Sequence, residues 1–386
     1  MALPIGPAEG SYSPGLEGVI AAVTSISYLD VEHEQIVVRG YDLIELARQM
    51  HYPQVAYLVI YGSLPSADEL ADFNRTLQEQ AALPEAAYRL FQLMPRTTEV
   101  MDAQRTVISF LAGFEDPAEL RDPSMQANLT KGVRLLARMP AITANAYRTV
   151  HGLPPVEPDG ELGFSENFLY MITGARPDAQ AARIFDMSLT CYIEHEMPNS
   201  TFAARVIAST LSDIYGAVAG AAASLKGPLH GGANEAVAHM LLEILQRGGA
   251  SVAEAYVMEK LARKERIMGF GHRVYMKRYD PRAHLMKDYI PQLAGRRPEG
   301  PELYRIYQTV EQVMLREKGL FPNADYPVGL IYLLLGIPID LYTPIFLAAR
   351  TAGLVAHVAE QHANNRLFRP RVLYQGPWGR HPNGQP

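Results

Sequence analysis

Three histidines lie at breaks between helical patterns, each beside glycine, proline or asparagine. His195 stands in YIEHEMPNST, where Pro198 must end the preceding helix. His230 stands in KGPLHGGAN and His272 in IMGFGHRVY. Glycine beside histidine lets the backbone approach a ligand closely and leaves the imidazole accessible. A single histidine at a helix end is more often a capping or packing residue, but three in such breaks favour a shared functional site.

Cationic residues surround these histidines in the sequence. They are Arg273, Lys277, Arg278 and Arg282 after His272, Arg350 in LAARTAG, and Arg369 and Arg371 in FRPRVLY. A planar guanidinium binds a carboxylate through two parallel hydrogen bonds, so arginines that converge on a pocket suit a small di- or tricarboxylate. The alternative is a solvated basic face, which would account for Lys277 and Arg278.

Base chemistry needs an acidic residue, and Asp325 in FPNADYPVG is the best-placed one. It lies in a break rich in proline and asparagine between two helical patterns. A turn or N-cap aspartate explains the same spacing slightly better, so both interpretations stay open here.

Common metal and nucleotide sites have no support in the sequence. It contains no HExxH, no paired CxxC, no i,i+4 histidine pair near these loops, no Walker motif and no GxGxxG after a strand. We therefore expect no bound metal and no cofactor. The 386 residues carry a formal net charge of −6, which argues against general binding to nucleic acid or to an anionic membrane.

Several features predict a soluble cytoplasmic protein. The single Cys191 cannot form an intramolecular disulfide, as fits a reducing compartment. The apolar runs, such as residues 330–340, are shorter than the roughly twenty residues that span a bilayer. The first residues lack the features of a signal or transit peptide, and we expect them to form a flexible arm.

Helical periodicity dominates the chain and predicts a mostly α fold with one small β-hairpin, at residues 21–40. Apolar residues repeat at helical spacing within 302–318, and Gly319 follows as a C-cap. Residues 203–225, rich in Ala, Gly and Ser, predict one central, buried helix. Helix starts are predicted at a Ser251–Glu254 capping box, at Thr343–Pro344, and at the N-caps Asp178 and Asn234. Residues 232–336 have their own capped helices and predict a separate lobe.

Five segments in order along the chain closely resemble the citrate synthase family: EHEMPNSTFAARV, GPLHGGANEAV, GFGHRVYMKRYDPR, PNADYPVG and NNRLFRPRVLYQGP. The early segments GLEGVIAAVTSISYLD, VRGYDLIELA and VAYLVIYGSLP are similar to that family too. The resemblance therefore covers nearly the whole chain, and its strength comes from the shared order of the motifs.

The resemblance implies an almost entirely helical two-domain fold that works as a homodimer. The large domain would comprise residues 1–231 and 337–386, and the small domain, residues 232–336, would close over the substrates. The length is similar to that of the short dimeric members, so no NADH site is expected.

The resemblance also implies the site residues. The catalytic set falls on His230, His272 and Asp325; the oxaloacetate set falls on His195, His272, Arg282, Arg350 and Arg369; and contacts to coenzyme A fall among Arg273, Lys277 and Arg278. Arg369 would reach into the partner subunit's site.

The implied activity is that of an Si-type citrate synthase, which condenses acetyl-CoA with oxaloacetate, the CoA thioester being a substrate. The alternative is 2-methylcitrate synthase, which uses propionyl-CoA. A more remote alternative is a catalytically silent subunit that binds dicarboxylate or CoA. One methylene in an apolar pocket is worth only about 1 to 3 kcal/mol, so the sequence does not separate the two thioesters.

Two departures from the family pattern are present. Met276 lengthens the spacing between His272 and Arg282 by one residue, which blurs which of Lys277 and Arg278 meets the coenzyme. The turn after Asp325 reads YPVG, where many members have a serine before the glycine, and Pro327 removes a backbone donor beside the predicted base. We expect neither departure to abolish activity.

Overall fold

The computed structural model describes residues 12–271, 279–377, 380 and 382, and these are mostly helical. The α-helices are α1 (Leu43–Gln49), α2 (Tyr52–Tyr61), α3 (Ala67–Glu79), α4 (Glu85–Leu93), α5 (Val100–Leu111), α6 (Pro117–Arg121), α7 (Met125–Val150), α8 (Phe164–Thr173), α9 (Ala179–Tyr192), α10 (Asn199–Ala208), α11 (Ile214–Leu225), α12 (Ala233–Arg247), α13 (Ala250–Ala262), α14 (Pro281–Lys287), α15 (Ile290–Leu293), α16 (Gly300–Lys318), α17 (Asp325–Leu334) and α18 (Tyr342–Ala363). Short 3-10 turns occupy Pro14–Leu16, Ala112–Phe114, Ala294–Arg296 and Ile339–Leu341. The predicted fold class, mostly α with a small N-terminal hairpin, is confirmed.

The hairpin consists of β1 (Ser27–Asp30) and β2 (Gln35–Val38), paired antiparallel, and β3 (Tyr41–Asp42) adds a short third strand that the sequence did not suggest. Alternation along β2 buries Ile36 and Val38 completely, which fixes the register of the sheet on the helical body. The sheet is small, but it lies against the loop that carries His195.

Helices α7 and α18 cross in the core of the protein. A Cβ on Gly132 of α7 would lie only 2.3 Å from Val355 of α18, so the close crossing requires glycine there.

The segment Ile339–Ala363 is long and apolar enough to cross a membrane, contrary to our expectation that the apolar runs are too short. Its most apolar window is 83% buried inside the protein, as in the core helix of a soluble fold.

The segment 203–225 was predicted as one helix, and this is wrong. The chain bends between α10 and α11, which pack against each other as a helical hairpin. Asp213 starts the second helix by accepting a hydrogen bond from the backbone N–H of Gly216 at 2.9 Å. Leu211 adopts a left-handed backbone with φ of 62° at the bend. Composition concealed this turn because alanine and glycine continue on both sides of it.

The predicted helix boundaries have mixed outcomes. Asp178 is an N-cap, and Gly319 ends α16 in the left-handed conformation, as predicted. The Ser251 capping box is wrong because α13 already begins at Ala250 and its N-cap is Gly249. Asn234 is not a cap either, since Gly232 holds that position. Near Thr343 the helix does begin, but the N-cap is Leu341.

Helices α12 to α17 pack largely on one another: α12 against α13, α16 and α17, α13 against α16, and α14 against α17. Gly232 and Gly336, at the two ends of this segment, both have positive φ, of 82° and 76°. Such packing is what a separate lobe at residues 232–336 requires, and the division into two domains remains a prediction.

Candidate functional site

A cavity of about 460 Å³ lies where α9, α12, α17 and α18 meet, and we call it the central cavity. Its lining residues are Tyr192, His195, Pro198, Leu225, Leu229, His230, Gly231, Gly232, Ala233, Asn234, Arg266, Gly271, Arg282, Asn323, Ala324, Asp325, Thr343, Phe346 and Arg350. Five of the predicted site residues are thus brought together from distant parts of the chain: His195, His230, Arg282, Asp325 and Arg350.

His195 lies in the loop between α9 and α10 and is buried. The hairpin holds this loop through one serine of β1. The Ser27 hydroxyl donates to Glu194 Oε1 at 2.9 Å, and the backbone N–H of Glu196 donates to Ser27 Oγ at 2.9 Å. Glu196 is held in a left-handed backbone conformation with φ of 62°. The N-terminal sheet therefore anchors both residues that flank His195.

His230 lies in the glycine-rich turn before α12, as the sequence predicted. Its Nε2 accepts a hydrogen bond from the backbone N–H of Ser200 at 3.2 Å and lies 2.9 Å from Ser200 Oγ. The ring proton is accordingly assigned to Nδ1. Burial, together with the charge of Arg350, lowers the pKa of His230 to about 4. The imidazole is therefore a neutral hydrogen-bond donor at physiological pH.

Arg282 is held in place by the carboxylate of Asp280. Its Nε and Nη2 donate to the two oxygens of Asp280 at 3.0 and 2.7 Å, and both side chains are buried. Asp280 also caps α14 and accepts from the backbone N–H of Ala324 at 3.1 Å. One carboxylate thus fixes the guanidinium and the backbone beside Asp325 at the same time.

Arg350 lies on α18 and is the largest fully buried side chain of the described residues. Its Nε donates to the carbonyl of Tyr192 at 2.6 Å, and the guanidinium stacks over Phe346 at 4.8 Å. Its Nη1 has no hydrogen-bond partner among the described residues. Burial lowers the pKa of Arg350 to about 10, partly offset by the charge of Glu194. A buried cation with an unused donor is suited to binding an anion such as a carboxylate.

Asp325 is the first residue of α17, and the N-cap of this helix is Ala324. The turn or N-cap role that the spacing of Asp325 slightly favoured is therefore wrong. The backbone N–H of Asp325 donates to Asn323 Oδ1 at 3.1 Å. The Tyr192 hydroxyl donates to Oδ1 of Asp325 at 2.8 Å. Burial raises the pKa of Asp325, while the Tyr192 hydrogen bond and the charge of Arg282 oppose this rise. A carboxylate in this environment is a stronger base than one in water.

Pro327 does not disturb the predicted base. It is the third residue of α17, within the first turn, where backbone N–H groups have no partner inside the helix. The missing donor therefore costs no helical hydrogen bond.

Of the remaining predicted residues, one lies outside the lining of the central cavity and four lie outside the described residues. Arg369 is exposed on the segment after α18, and its Nη1 donates to the carbonyl of Pro370 at 3.3 Å. His272, Arg273, Lys277 and Arg278 lie outside the described residues. Among the parts of the chain that are described, no cluster of three metal-ligating side chains occurs.

Sequence reasoning missed four residues of the cavity region: Tyr192, Ser200, Asn234 and Arg266. Tyr192 ends α9 only three residues before His195, and a phenol that close to a candidate histidine was an available signal. Ser200 is the second residue of α10, whose N-cap is Pro198. Arg266 is exposed and adds positive charge to the cavity lining.

A second cavity, of about 520 Å³, lies among α2, α3, α7, α8 and α9 and is mostly apolar. Its buried carboxylate, Asp186, already accepts hydrogen bonds from the backbone N–H of Tyr52, the Ser165 hydroxyl and Arg183. The chemistry is better placed in the central cavity, because there a base, a neutral imidazole and buried guanidinium groups face one space.

The chain is similar to several known proteins over most of its length. The family model for the citrate synthase C-terminal domain matches residues 15–371. The chain is 53% identical to a citrate/2-methylcitrate synthase of Bacillus subtilis, covering 95% of this chain and 97% of that protein. It is 49% identical to a citrate synthase of Heyndrickxia coagulans, covering 95% and 96%.

A solved structure is similar over its full length. It is the ternary complex of carboxymethyl coenzyme A and oxaloacetate with citrate synthase from Thermoplasma acidophilum, with a TM-score of 0.89 and 32% identity. The match covers 96% of this chain and 98% of that chain.

Proposed function

Because this chain belongs to the citrate synthase family of acyl-transferring enzymes, we propose that it condenses acetyl-CoA with oxaloacetate and water to give citrate and CoA. The observation that carries this proposal is the convergence of Asp325, His230, Arg282 and Arg350 on the central cavity. Few other reactions need a carboxylate base with a raised pKa, a neutral imidazole that donates a hydrogen bond, and arginines that bind a dicarboxylate, all in one cavity.

In the first step, Asp325 takes a proton from the methyl group of the thioester. The electron pair of that C–H bond moves towards the thioester carbonyl, where His230 donates a hydrogen bond from Nδ1 to the developing negative charge. The low pKa of His230 suits this role, because a neutral imidazole donates a hydrogen bond without having to carry a charge.

In the second step, the enolate carbon attacks the ketone carbon of oxaloacetate. The electron pair of the ketone π bond moves to its oxygen, which then takes up a proton to become the hydroxyl of citryl-CoA. Arg282, Arg350 and the partner subunit's Arg369 hold the carboxylates, with His195 beside them, while His272 polarises the ketone. Fixing two reactants in this way removes on the order of 7 to 11 kcal/mol of barrier. Water then hydrolyses citryl-CoA to citrate and free CoA.

Closure of residues 232–336 over the substrates would exclude water from the enol until the carbon–carbon bond forms. Arg273, Lys277 and Arg278 are proposed to contact the phosphates of CoA. The reaction as written needs no metal and no redox cofactor.

The family also includes 2-methylcitrate synthases, and the Bacillus subtilis relative is named as a citrate/2-methylcitrate synthase. Steady-state kcat/KM for acetyl-CoA and propionyl-CoA, each with oxaloacetate and detection of the released thiol, decides between them. Faster turnover of acetyl-CoA supports the proposal, whereas a preference for propionyl-CoA makes the protein a 2-methylcitrate synthase. Thiol release from neither thioester would leave only a silent binding subunit.

The homodimer is proposed from two exposed apolar arms. Ile20 and Val23 in the N-terminal arm are 89% and 90% exposed, and Val372 in the C-terminal arm is 85% exposed. The two arms start from one end of α18, where the backbone N–H of Ser25 donates to Glu360 Oε1 at 2.9 Å. Exposed apolar side chains are grouped along both arms rather than scattered singly, and contiguous apolar surface of this kind marks protein–protein interfaces.

A cytoplasmic location is proposed on chemical grounds. Cys191, the only cysteine in the sequence, is buried and unpaired, and burial raises the pKa of its thiol to about 12. A protein without disulfides fits a reducing compartment.

A further inference from the structure

Tyr192 connects the two halves of the proposed chemistry, although neither the family motifs nor the sequence pattern pointed to it. Its hydroxyl donates to Asp325 Oδ1 at 2.8 Å, and its backbone carbonyl accepts from Arg350 Nε at 2.6 Å. One residue at the end of α9 therefore contacts both the proposed base and the proposed carboxylate clamp.

The position of the phenol is fixed by packing. Tyr192 is 1% exposed, and its ring lies 4.5 Å from the ring of Phe346, centroid to centroid. The side chain of Asn234, at the start of α12, lies near the Tyr192 hydroxyl and opposes the rise of its pKa. A buried phenol held by a ring on one side and an amide on the other has a fixed direction for its proton.

We infer that Tyr192 is a positioning residue for Asp325. The phenol O–H of Tyr192 occupies Oδ1 of Asp325 and leaves Oδ2 of the same carboxylate to take the proton from the thioester methyl group. This inference rests on the proposed role of Asp325 as the base. A single donor on one carboxylate oxygen restricts rotation of the carboxyl group and stabilises its ionised form. Tyr192 itself stays protonated, because burial raises its pKa well above the ordinary value.

Other groups also act on the charge of Asp325. They are Arg282 and its partner Asp280 at α14, and Arg350 on α18. The other titratable groups nearby are His230 before α12 and Arg266, both in the cavity lining, and Tyr332 on α17, which stays protonated because burial raises its pKa. None of these is altered when only the Tyr192 hydroxyl is removed, so its contribution can be measured separately.

The test is Tyr192→Phe, which keeps the ring beside Phe346 and deletes the donor. Loss of a hydrogen bond to a charged group should lower kcat about ten- to a hundredfold. The acid limb of the kcat–pH profile should move to higher pH, because the carboxylate loses a group that stabilises its ionised form. The KM for oxaloacetate should change little, since the Tyr192 carbonyl still holds Arg350.

The matched control is Tyr332→Phe. This tyrosine is also fully buried, and its hydroxyl lies 3.2 Å from Ser188 Oγ, away from the cavity lining. Its loss should leave kcat and the acid limb near wild type. A Tyr192→Phe enzyme that behaves like this control in both readouts overturns the inference.

A second variant keeps the inference testable if Tyr192→Phe does not fold. A fluorinated tyrosine incorporated at position 192 retains the packing and makes the phenol a stronger donor, so the acid limb should shift to lower pH. An unshifted limb contradicts the inference. Asp325→Asn, measured in parallel, separates the two proposals: an active Asp325→Asn enzyme refutes the base itself, whereas an inactive one with an unchanged Tyr192→Phe enzyme refutes only the role of Tyr192.

Discussion

At the scale of single residues, burial decides what each ionisable group can do. His230 and Asp325 line one cavity, and burial moves their pKa values in opposite directions. Burial disfavours the charged form of each group, so the histidine loses its proton more easily and the aspartate keeps its proton more strongly. The result is a neutral donor beside a strengthened base, which is the pairing that enolisation of a thioester needs.

Asp325→Asn should abolish turnover without unfolding the protein. We expect kcat to fall by about 10² to 10⁴, the usual contribution of a general base. Because the folded-state pKa is raised, the wild-type protein loses stability as pH rises through that pKa. The variant lacks this loss, so its Tm at pH 7 should equal or exceed that of wild type. Calorimetry beside the thiol-release assay checks both; a Tm clearly below wild type would contradict the electrostatic argument.

His230→Gln should lower kcat about 10² to 10³-fold, as expected for removing a donor to a developing oxyanion. The folded-state pKa of about 4 lies below the ordinary 6.5, so His230 makes the native state lose stability as pH falls through that window. The variant should accordingly lose less stability than wild type between pH 6.5 and 4.

The control for this histidine is His239→Gln, on the exposed face of α12. It should have near-normal kcat. Equal rates in the two variants would remove His230 from the mechanism.

At the scale of elements, the active groups sit at helix ends and in the turns between them. His230 lies in the turn before α12, and Asp325 is the first residue of α17. Short turns that contain glycine or asparagine position both side chains. Periodicity located the helices that flank these turns, because apolar spacing is a local property. It did not locate the bend before Asp213 or the cap at Gly249, where backbone conformation outweighs side-chain pattern.

Gly231→Ala tests how strictly the His230 turn is packed. A Cβ at this position would lie 2.1 Å from the carbonyl oxygen of Leu225 and 3.0 Å from Thr343 Cγ2. The backbone must move to relieve the first contact, so we expect Tm to fall by about 4 °C or more and kcat to fall with it. Gly295→Ala has no atom within 4 Å of the added Cβ and serves as the control. Similar Tm values for the two variants would show that the turn is not tightly constrained.

At the scale of the whole molecule, we propose that the site is shared between subunits. Arg369 is exposed on its own chain and belongs to an arm that leaves the core after α18. If it completes the partner's site, each active centre needs His230 and Asp325 from one subunit and Arg369 from the other.

Mixed dimers test this arrangement. Arg369→Ala and Asp325→Ala chains, each nearly inactive alone, should together regain about a quarter of wild-type activity, because random pairing gives one intact site in half of the dimers. Mixing His230→Ala with Asp325→Ala should regain nothing, since both residues serve the same site of the same chain. Absence of recovery in the first mixture would place Arg369 outside the partner's site.

The sequence by itself determined the fold class, the family and five of the residues that line the central cavity, because helical periodicity, breaker residues and ordered motifs are all properties of short segments. Only the tertiary structure decided the state of those residues. Tyr192 and Asp325 are separated by 133 positions and yet share a hydrogen bond, and His230 meets Ser200 of α10. A pKa or a hydrogen bond depends on what surrounds a group in space, and that surrounding is formed only when distant segments pack together.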